Sequence, residues 1–110
     1  HETLYGSFEC ALLYMNVLRK GVLYISSAHL CFESTIFPPA NTKLPLARVR
    51  SAERCRDPTF HLIPNSIRVR HDETGSLCFA SVYPAHERDE AVALLRRCLD
   101  NRTEQPRRAI

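Results

Sequence analysis

The apolar residues of this 110-residue chain change their spacing about two-thirds of the way along, and that change limits the folds open to it. Ile67 and Val69 alternate with Arg68 and Arg70, which is the period of a β-strand with one buried face. The apolar residues that recur at helical spacing over residues 87–101 are Ala91, Leu94, Leu95, Cys98 and Leu99. The pattern therefore predicts strands followed by one terminal amphipathic helix.

Short extended segments account for the part of the chain that precedes the helix. Their β-branched and aromatic content suits a half-buried pleated surface. The predicted strands are residues 7–15, 22–26, 30–34, 43–46, 49–56, a strand around 67–70, and 77–82. Turns are predicted at residues 19–21 and 72–75. Residues 36–42 are predicted to form a loop, because Pro38 and Pro39 cannot donate ladder hydrogen bonds.

Seven strands followed by one helix predict a mostly β fold of the pleckstrin-homology type, a sandwich or open barrel capped by the C-terminal helix. The length suits one domain with its own core, which we expect to span residues 1–101. Residues 102–110 are expected to form a polar, basic, frayed tail. The chain begins at His1, and we interpret it as a domain of a larger protein. No apolar stretch approaches the ~20 residues of a membrane-spanning helix.

The residues that usually carry chemistry do not form a recognisable catalytic or metal-binding motif. Five cysteines are scattered without a close pair, which disfavours a zinc site or a disulfide framework and favours reduced thiols. The net charge of +3 is small for a domain that binds nucleic acid, and no basic run is interleaved with aromatic residues. We therefore predict no catalytic residues, no cofactor, no metal site and no nucleic-acid partner.

Four segments resemble the GRAM domain family, and they occur in the family's order. The segments are FECAL at residues 8–12, KGVLYIS at 20–26 with HLCFES at 29–34, LIPNSI at 62–67, and FAS at 79–81 with RD at 88–89. The likeness is closest to the GRAM domains of membrane-anchored sterol-transfer proteins. It implies a pleckstrin-homology-like fold and a non-catalytic module that binds anionic lipids or proteins.

The resemblance and the basic residues together suggest a lipid-binding surface. Arg19 and Lys20 lie where related domains often bind a lipid headgroup, and both residue types donate charge-assisted hydrogen bonds to phosphate. Ile36 and Phe37 are predicted to enter the membrane interface. The candidate lipid-binding residues are Arg19, Lys20, Ile36, Phe37, Lys43, Arg48 and Arg50. The alternative to a lipid-binding surface is that residues 19–21 form a merely solvated turn and that Phe37 packs on the barrel edge.

Arginines at every second position suggest another surface. Arg48, Arg50, Arg54 and Arg56 share parity on their segment, and Arg68 and Arg70 share parity on theirs, so each set is predicted to lie on one strand face. The candidate partner face comprises Arg54, Arg56, Arg68 and Arg70. Neighbouring carboxylates could neutralise this face and leave it simply solvated.

Three hypotheses for the function follow. The leading one is a cytoplasmic, peripheral membrane-targeting module that binds phosphoinositides, phosphatidylserine or phosphatidic acid as part of a larger protein. The alternative is a protein-interaction module that uses the arginine face or a free sheet edge to bind an acidic or extended partner. The third is a structural domain that packs against the remainder of its parent protein.

Overall fold

The computed structural model describes residues 2–15, 17–35, 41–58, 62–72, 75–82 and 85–104, with side chains of the last range given for residues 86–101. Within these residues the chain forms strands, one turn of 3-10 helix and a C-terminal α-helix. The elements are β1 (Leu4–Tyr14), β2 (Val17–Ser26), β3 (His29–Ser34), β4 (Thr42–Pro45), the 3-10 turn (Leu46–Arg48), β5 (Val49–Cys55), β6 (Ser66–His71), β7 (Gly75–Ala80) and α1 (Ala85–Glu104). Seven strands followed by one helix confirm the predicted fold class.

The seven strands form one antiparallel sheet in the order β4-β3-β2-β1-β7-β6-β5. Ala11 and Leu12 of β1 pair with Ala80 and Phe79 of β7, and these pairs join the two halves of the sheet. The helix packs mainly against β5 and also touches β1, β6 and the 3-10 turn. The helix therefore covers β5, which is the last strand in the sheet order.

Alternate residues of the strands point into a single core. The sequence places Phe8, Cys10 and Leu12 on one face of β1, and all three belong to or pack against this core. The rings of Phe32 and Phe79 meet in its centre, with their centroids 5.8 Å apart. The period-2 pattern thus identifies the buried face of β1 correctly, and also that of β6, where Ile67 and Val69 are buried.

The turn predicted at residues 19–21 is wrong, because Arg19, Lys20 and Gly21 lie inside β2. The chain instead reverses after Met15, which has a positive φ of 51°. Gly21 is needed for packing rather than for a turn. A Cβ atom at this position would collide with the main-chain carbonyl oxygen of Glu33 on β3.

The helix is longer than predicted at both ends and includes residues 102–104, which had been assigned to the tail. Its buried residues are Arg88, Ala91, Val92, Leu95, Cys98 and Leu99. The Arg88 guanidinium donates hydrogen bonds to the carbonyl oxygens of Cys55 (3.3 Å) and Ser66 (3.4 Å). These bonds tie the start of α1 to the end of β5 and the start of β6.

Candidate functional site

The end of the β1–β2 hairpin is a protruding apolar surface. It carries four of the eight large apolar side chains that are exposed in the described residues: Tyr14, Met15, Val17 and Leu18. We call these four residues the hairpin tip. The Met15 side chain is 80% exposed. The chemistry of this surface is that of an apolar anchor, because exposed apolar patches typically mark contacts with membranes or other proteins.

The strand register explains why the hairpin tip is exposed. Leu12 is the last residue of β1 that pairs with β7, and Gly21 is the first residue of β2 that pairs with β3. Beyond these residues, Leu13 pairs with Leu18 and Tyr14 pairs with Val17. The hairpin therefore continues as a two-stranded ribbon, which no third strand covers within the described part of the chain.

The basic pair Arg19–Lys20 lies directly behind the hairpin tip. Arg19 is opposite Leu12 and Lys20 is opposite Ala11, so the two side chains leave opposite faces of β2. Lys20 is exposed, whereas Arg19 is half-buried on the core side. The ammonium group of Lys20 is thus the more accessible of the two cations for an anionic ligand.

The segment that contains Ile36 and Phe37 starts next to Lys20. The carbonyl oxygen of Lys20 accepts hydrogen bonds from the Thr35 N–H (2.8 Å) and the Thr35 hydroxyl (3.1 Å). Residues 36–40 lie outside the described residues, so the anchor predicted at Ile36 and Phe37 stays a prediction. The geometry fixes only the point at which this segment begins.

Lys43 lies on the same outer sheet face as Lys20, but the two lysines do not form a purely basic surface. Lys43 is opposite Cys31, which is opposite Tyr24 on β2. On the same face, Glu33 is opposite Val22, between the rows of the two lysines. The carboxylate of Glu33 therefore divides the positive charge of this face.

Arg48 and Arg50 are not brought into the group around Lys20. They lie in the 3-10 turn and at the start of β5, which β1, β7 and β6 separate from β2 in the sheet order. The Nε atom of Arg50 donates a hydrogen bond to the Asp72 carboxylate (2.5 Å). The lipid-binding set predicted from the sequence is therefore spread over two regions of the sheet.

The arginine face predicted from parity is also divided. Arg54 is opposite Ile67, a core residue, so it projects from the helix side, where its Nη1 atom is 3.7 Å from the Asp89 carboxylate. Arg68 and Arg70 occupy the outer face, where the Nε of Arg70 approaches Glu53 at 3.4 Å. Arg56 follows the end of β5 and is exposed.

A bulge in β5 explains why the parity argument is wrong for this strand. The register with β6 shifts between Val49 and Ser51, so Arg50 has no opposite residue in β6. After the bulge, the side chains of Ala52 and then Arg54 lie on the inner face of β5. Arg54 and Arg68 consequently lie on opposite faces of the sheet.

Two thiols meet on the outer face of the β5–β7 half of the sheet. The pKa of Cys55 is lowered to about 7, mainly by a hydrogen bond from the Cys78 thiol. The positive charges of Arg68 and Arg88 act in the same direction, and burial opposes them. The same hydrogen bond, together with burial, raises the pKa of Cys78. All five cysteines are free thiols.

Two features are absent from the described residues. No group of three His, Cys, Asp or Glu side chains in these ranges is arranged to hold a metal ion. No helix formed by them is long and apolar enough to cross a membrane.

The seven-stranded sheet and its C-terminal helix define a pleckstrin-homology-like domain. Within that class, the chain belongs to the GRAM domain family, which matches residues 1–103. GRAM and pleckstrin-homology-like domains are commonly modules that bind lipids or proteins. The resemblance found in the sequence motifs is therefore confirmed.

Three solved structures show the same fold at low sequence identity. The C-terminal domain of an unknown protein from Leishmania infantum has a TM-score of 0.75 and 24% identity, covering 89% of this chain and 84% of that one. The Vps36 N-terminal PH domain has a TM-score of 0.73 and 10% identity, covering 94% and 83%. The N-terminal PH domain of human ARAP2 has a TM-score of 0.69 and 13% identity, covering 96% and 87%. A comparison with curated proteins finds no match.

The sequence contains a signal for the hairpin tip that the strand-by-strand prediction missed. Residues 12–18 read Leu-Leu-Tyr-Met-Asn-Val-Leu, so apolar side chains of both parities surround one asparagine. A strand with a single buried face cannot bury both parities at once. Such a run, interrupted by a residue that favours turns, indicates an apolar hairpin that projects beyond the core.

Proposed function

We propose that this domain is a non-catalytic membrane-targeting module that binds anionic lipid surfaces through the hairpin tip. The observation that carries the proposal is the exposure of Tyr14, Met15, Val17 and Leu18 on one two-stranded ribbon, with Lys20 directly behind it. In this arrangement the apolar side chains enter the headgroup region. The ammonium group of Lys20 then lies at the depth of the phosphates.

The expected affinity of one domain is modest. Full burial of an apolar side chain is worth about 1.5–3 kcal/mol, so each half-exposed side chain of the tip contributes roughly 1 kcal/mol on insertion. Each cation near an anionic surface adds about 1 kcal/mol. Four side chains and two cations sum to roughly 6 kcal/mol, which corresponds to a Kd of tens of micromolar. A second anchor in the parent protein would raise the overall avidity.

The candidate lipids are phosphatidylserine, phosphatidic acid and the phosphoinositides, at a cytoplasmic membrane surface. Membership of a family of lipid- and protein-binding modules supports a binding role, and the free thiols are consistent with a reducing compartment. Phe37 and Ile36 are proposed to enter the same interface, because their segment begins at the Lys20 carbonyl. Arg19 and Lys43 are proposed to contribute long-range attraction.

The test is co-sedimentation with vesicles of neutral lipid that contain each anionic lipid in turn, at low and physiological salt. The apolar variant is Met15→Ser/Val17→Ser, and its matched control is Leu4→Ser/Tyr5→Ser, which also removes two exposed apolar side chains. The charge variant is Lys20→Glu, and its control is Arg97→Glu, which reverses an exposed cation on α1 outside the candidate lipid-binding set. We expect the Met15/Val17 pair to weaken binding about tenfold and Lys20→Glu to weaken it severalfold.

Two results would overturn the proposal. The first is the absence of vesicle binding by the wild-type domain at low salt. The second is equal loss of binding in the tip variant and in the Leu4/Tyr5 control, because that result would show no special role for the hairpin tip.

A further inference from the structure

The connection between β5 and β6 displays a second pair of apolar side chains. Leu62 is 73% exposed and Ile63 is 48% exposed, and both precede the exposed Pro64. Both residues lie between β5 and β6 and are not part of the hairpin tip. Leu62 and Ile63 thus leave two large apolar groups in water.

Hydrogen bonds hold residues 62–65 against Asp57. The Oδ1 atom of Asp57 accepts the N–H groups of Leu62 and Ile63, at 2.8 Å each. The Ile63 carbonyl oxygen accepts the N–H groups of Asp57 (2.8 Å) and Asn65 (2.9 Å). Because the backbone of Leu62 and Ile63 is already ordered, a partner that covers these side chains loses little affinity to the ordering of these two residues.

An exposed cation lies close to Leu62 and Ile63. Arg56 is exposed and directly precedes Asp57, whose carboxylate is engaged by the backbone of the connection. Arg68 is exposed on the outer face of β6, two residues beyond Ser66 at the start of that strand. A second copy of the chain would bring the same arginines together, whereas a surface with carboxylates would complement them.

The two apolar surfaces lie at different ends of the sheet. From the Leu12–Phe79 pair, β1 continues to the hairpin tip in the direction in which β7 runs back toward Gly75. Leu62 and Ile63 precede β6 and therefore lie beyond the opposite end of β6 and β7. A flat membrane that receives the hairpin tip does not meet these two side chains.

We propose that Leu62 and Ile63 form a docking surface for a protein segment that offers apolar side chains flanked by carboxylates. The apolar pair supplies the buried contact, and Arg56 and Arg68 select the acidic flanks. This surface works independently of membrane binding, so one domain can hold a membrane and a protein at the same time.

The probe is a phage-displayed library of random short peptides, selected on the folded wild-type domain. Selected peptides are then measured by fluorescence anisotropy against Leu62→Ser/Ile63→Ser, Arg56→Glu and the tip variant Met15→Ser/Val17→Ser. We expect peptides that combine apolar residues with Asp or Glu. They should bind the Leu62/Ile63 variant about tenfold more weakly and Arg56→Glu severalfold more weakly, with unchanged binding to the tip variant.

The exposed positions of Leu62 and Ile63 mean that the double serine variant should keep its fold, which the melting temperature checks. The proposal is overturned if the selected peptides bind the Leu62/Ile63 variant as tightly as the wild type, or if they carry no acidic residues. It is also overturned if that variant instead loses binding to phosphatidylserine vesicles, which would make the surface a membrane contact. Concentration-dependent dimerisation lost in the variant would identify a second copy as the occupant.

Discussion

The Nε atom of Arg96 on α1 donates a hydrogen bond of 3.0 Å to the main-chain carbonyl oxygen of Ala52 on β5. Because β5 is the last strand of the sheet order, its outer main-chain groups have no strand partner among the described residues. Arg96 thus satisfies a carbonyl at a sheet edge while its helix covers the adjoining side chains.

Replacing Arg96 with methionine should lower the stability of the domain. The substitution Arg96→Met keeps an unbranched aliphatic chain but removes the donor, which should reduce the free energy of unfolding by about 1–2 kcal/mol. Urea unfolding monitored by circular dichroism measures this change. Arg97→Met is the matched control, and we expect it to stay within about 0.5 kcal/mol of the wild type. Equal effects of the two substitutions would contradict the role given to the Ala52 bond.

Alanine at position 21 should be strongly destabilising. The new Cβ would meet the Glu33 carbonyl, which belongs to the paired backbone of β3 and cannot move without breaking the ladder. We expect a loss of about 3 kcal/mol in the free energy of unfolding. Gly6→Ala is the control, since its Cβ would lie 3.1 Å from the end of the flexible Leu94 side chain. A Gly21→Ala protein as stable as the Gly6→Ala protein would refute this account.

Cys55 should be the first thiol to react with iodoacetamide at neutral pH. Its pKa is lowered to about 7, whereas burial raises the pKa of Cys10 to about 12. Because only the thiolate displaces iodide, the Cys55 rate should rise as the pH passes through about 7 and fall below it. Peptide mapping by mass spectrometry identifies the labelled cysteine.

The Cys78→Ala variant is the control for this prediction. Removing the hydrogen-bond donor should raise the pKa of Cys55 and shift its pH–rate midpoint upward. An unchanged midpoint would show that the Cys78 thiol does not stabilise the Cys55 thiolate.

The fold could be predicted because its main signals are local and redundant. The change from period 2 to helical spacing places the helix after all the strands, and alternation in residues such as Ile67 and Val69 marks the buried faces. The helix boundaries differ by a few residues, since caps and fraying set them more than periodicity does.

The candidate site was harder to predict because it depends on register. Whether Arg54 lies on the same face of the sheet as Arg68 or on the opposite face depends on a bulge near Arg50. This bulge has no distinct sequence signature. The turn at Met15 was also missed, because Gly21 was assigned to a turn instead. The close approach of the Glu33 carbonyl, which requires a glycine at position 21, cannot be read from the sequence. Both errors concern contacts between strands rather than preferences within one strand.

β1 pairs with two strands, of which β2 is close to it in the sequence and β7 is far from it. Its hairpin with β2 is local, but the pairs Ala11–Ala80 and Leu12–Phe79 close a loop of about seventy residues. Such distant pairing slows folding, so sheet closure should be a late kinetic event. During synthesis, the edge of β1 that pairs with β7 stays unpaired until β7 has left the ribosome. A chain that stops before Phe79 should therefore keep that edge open and aggregate.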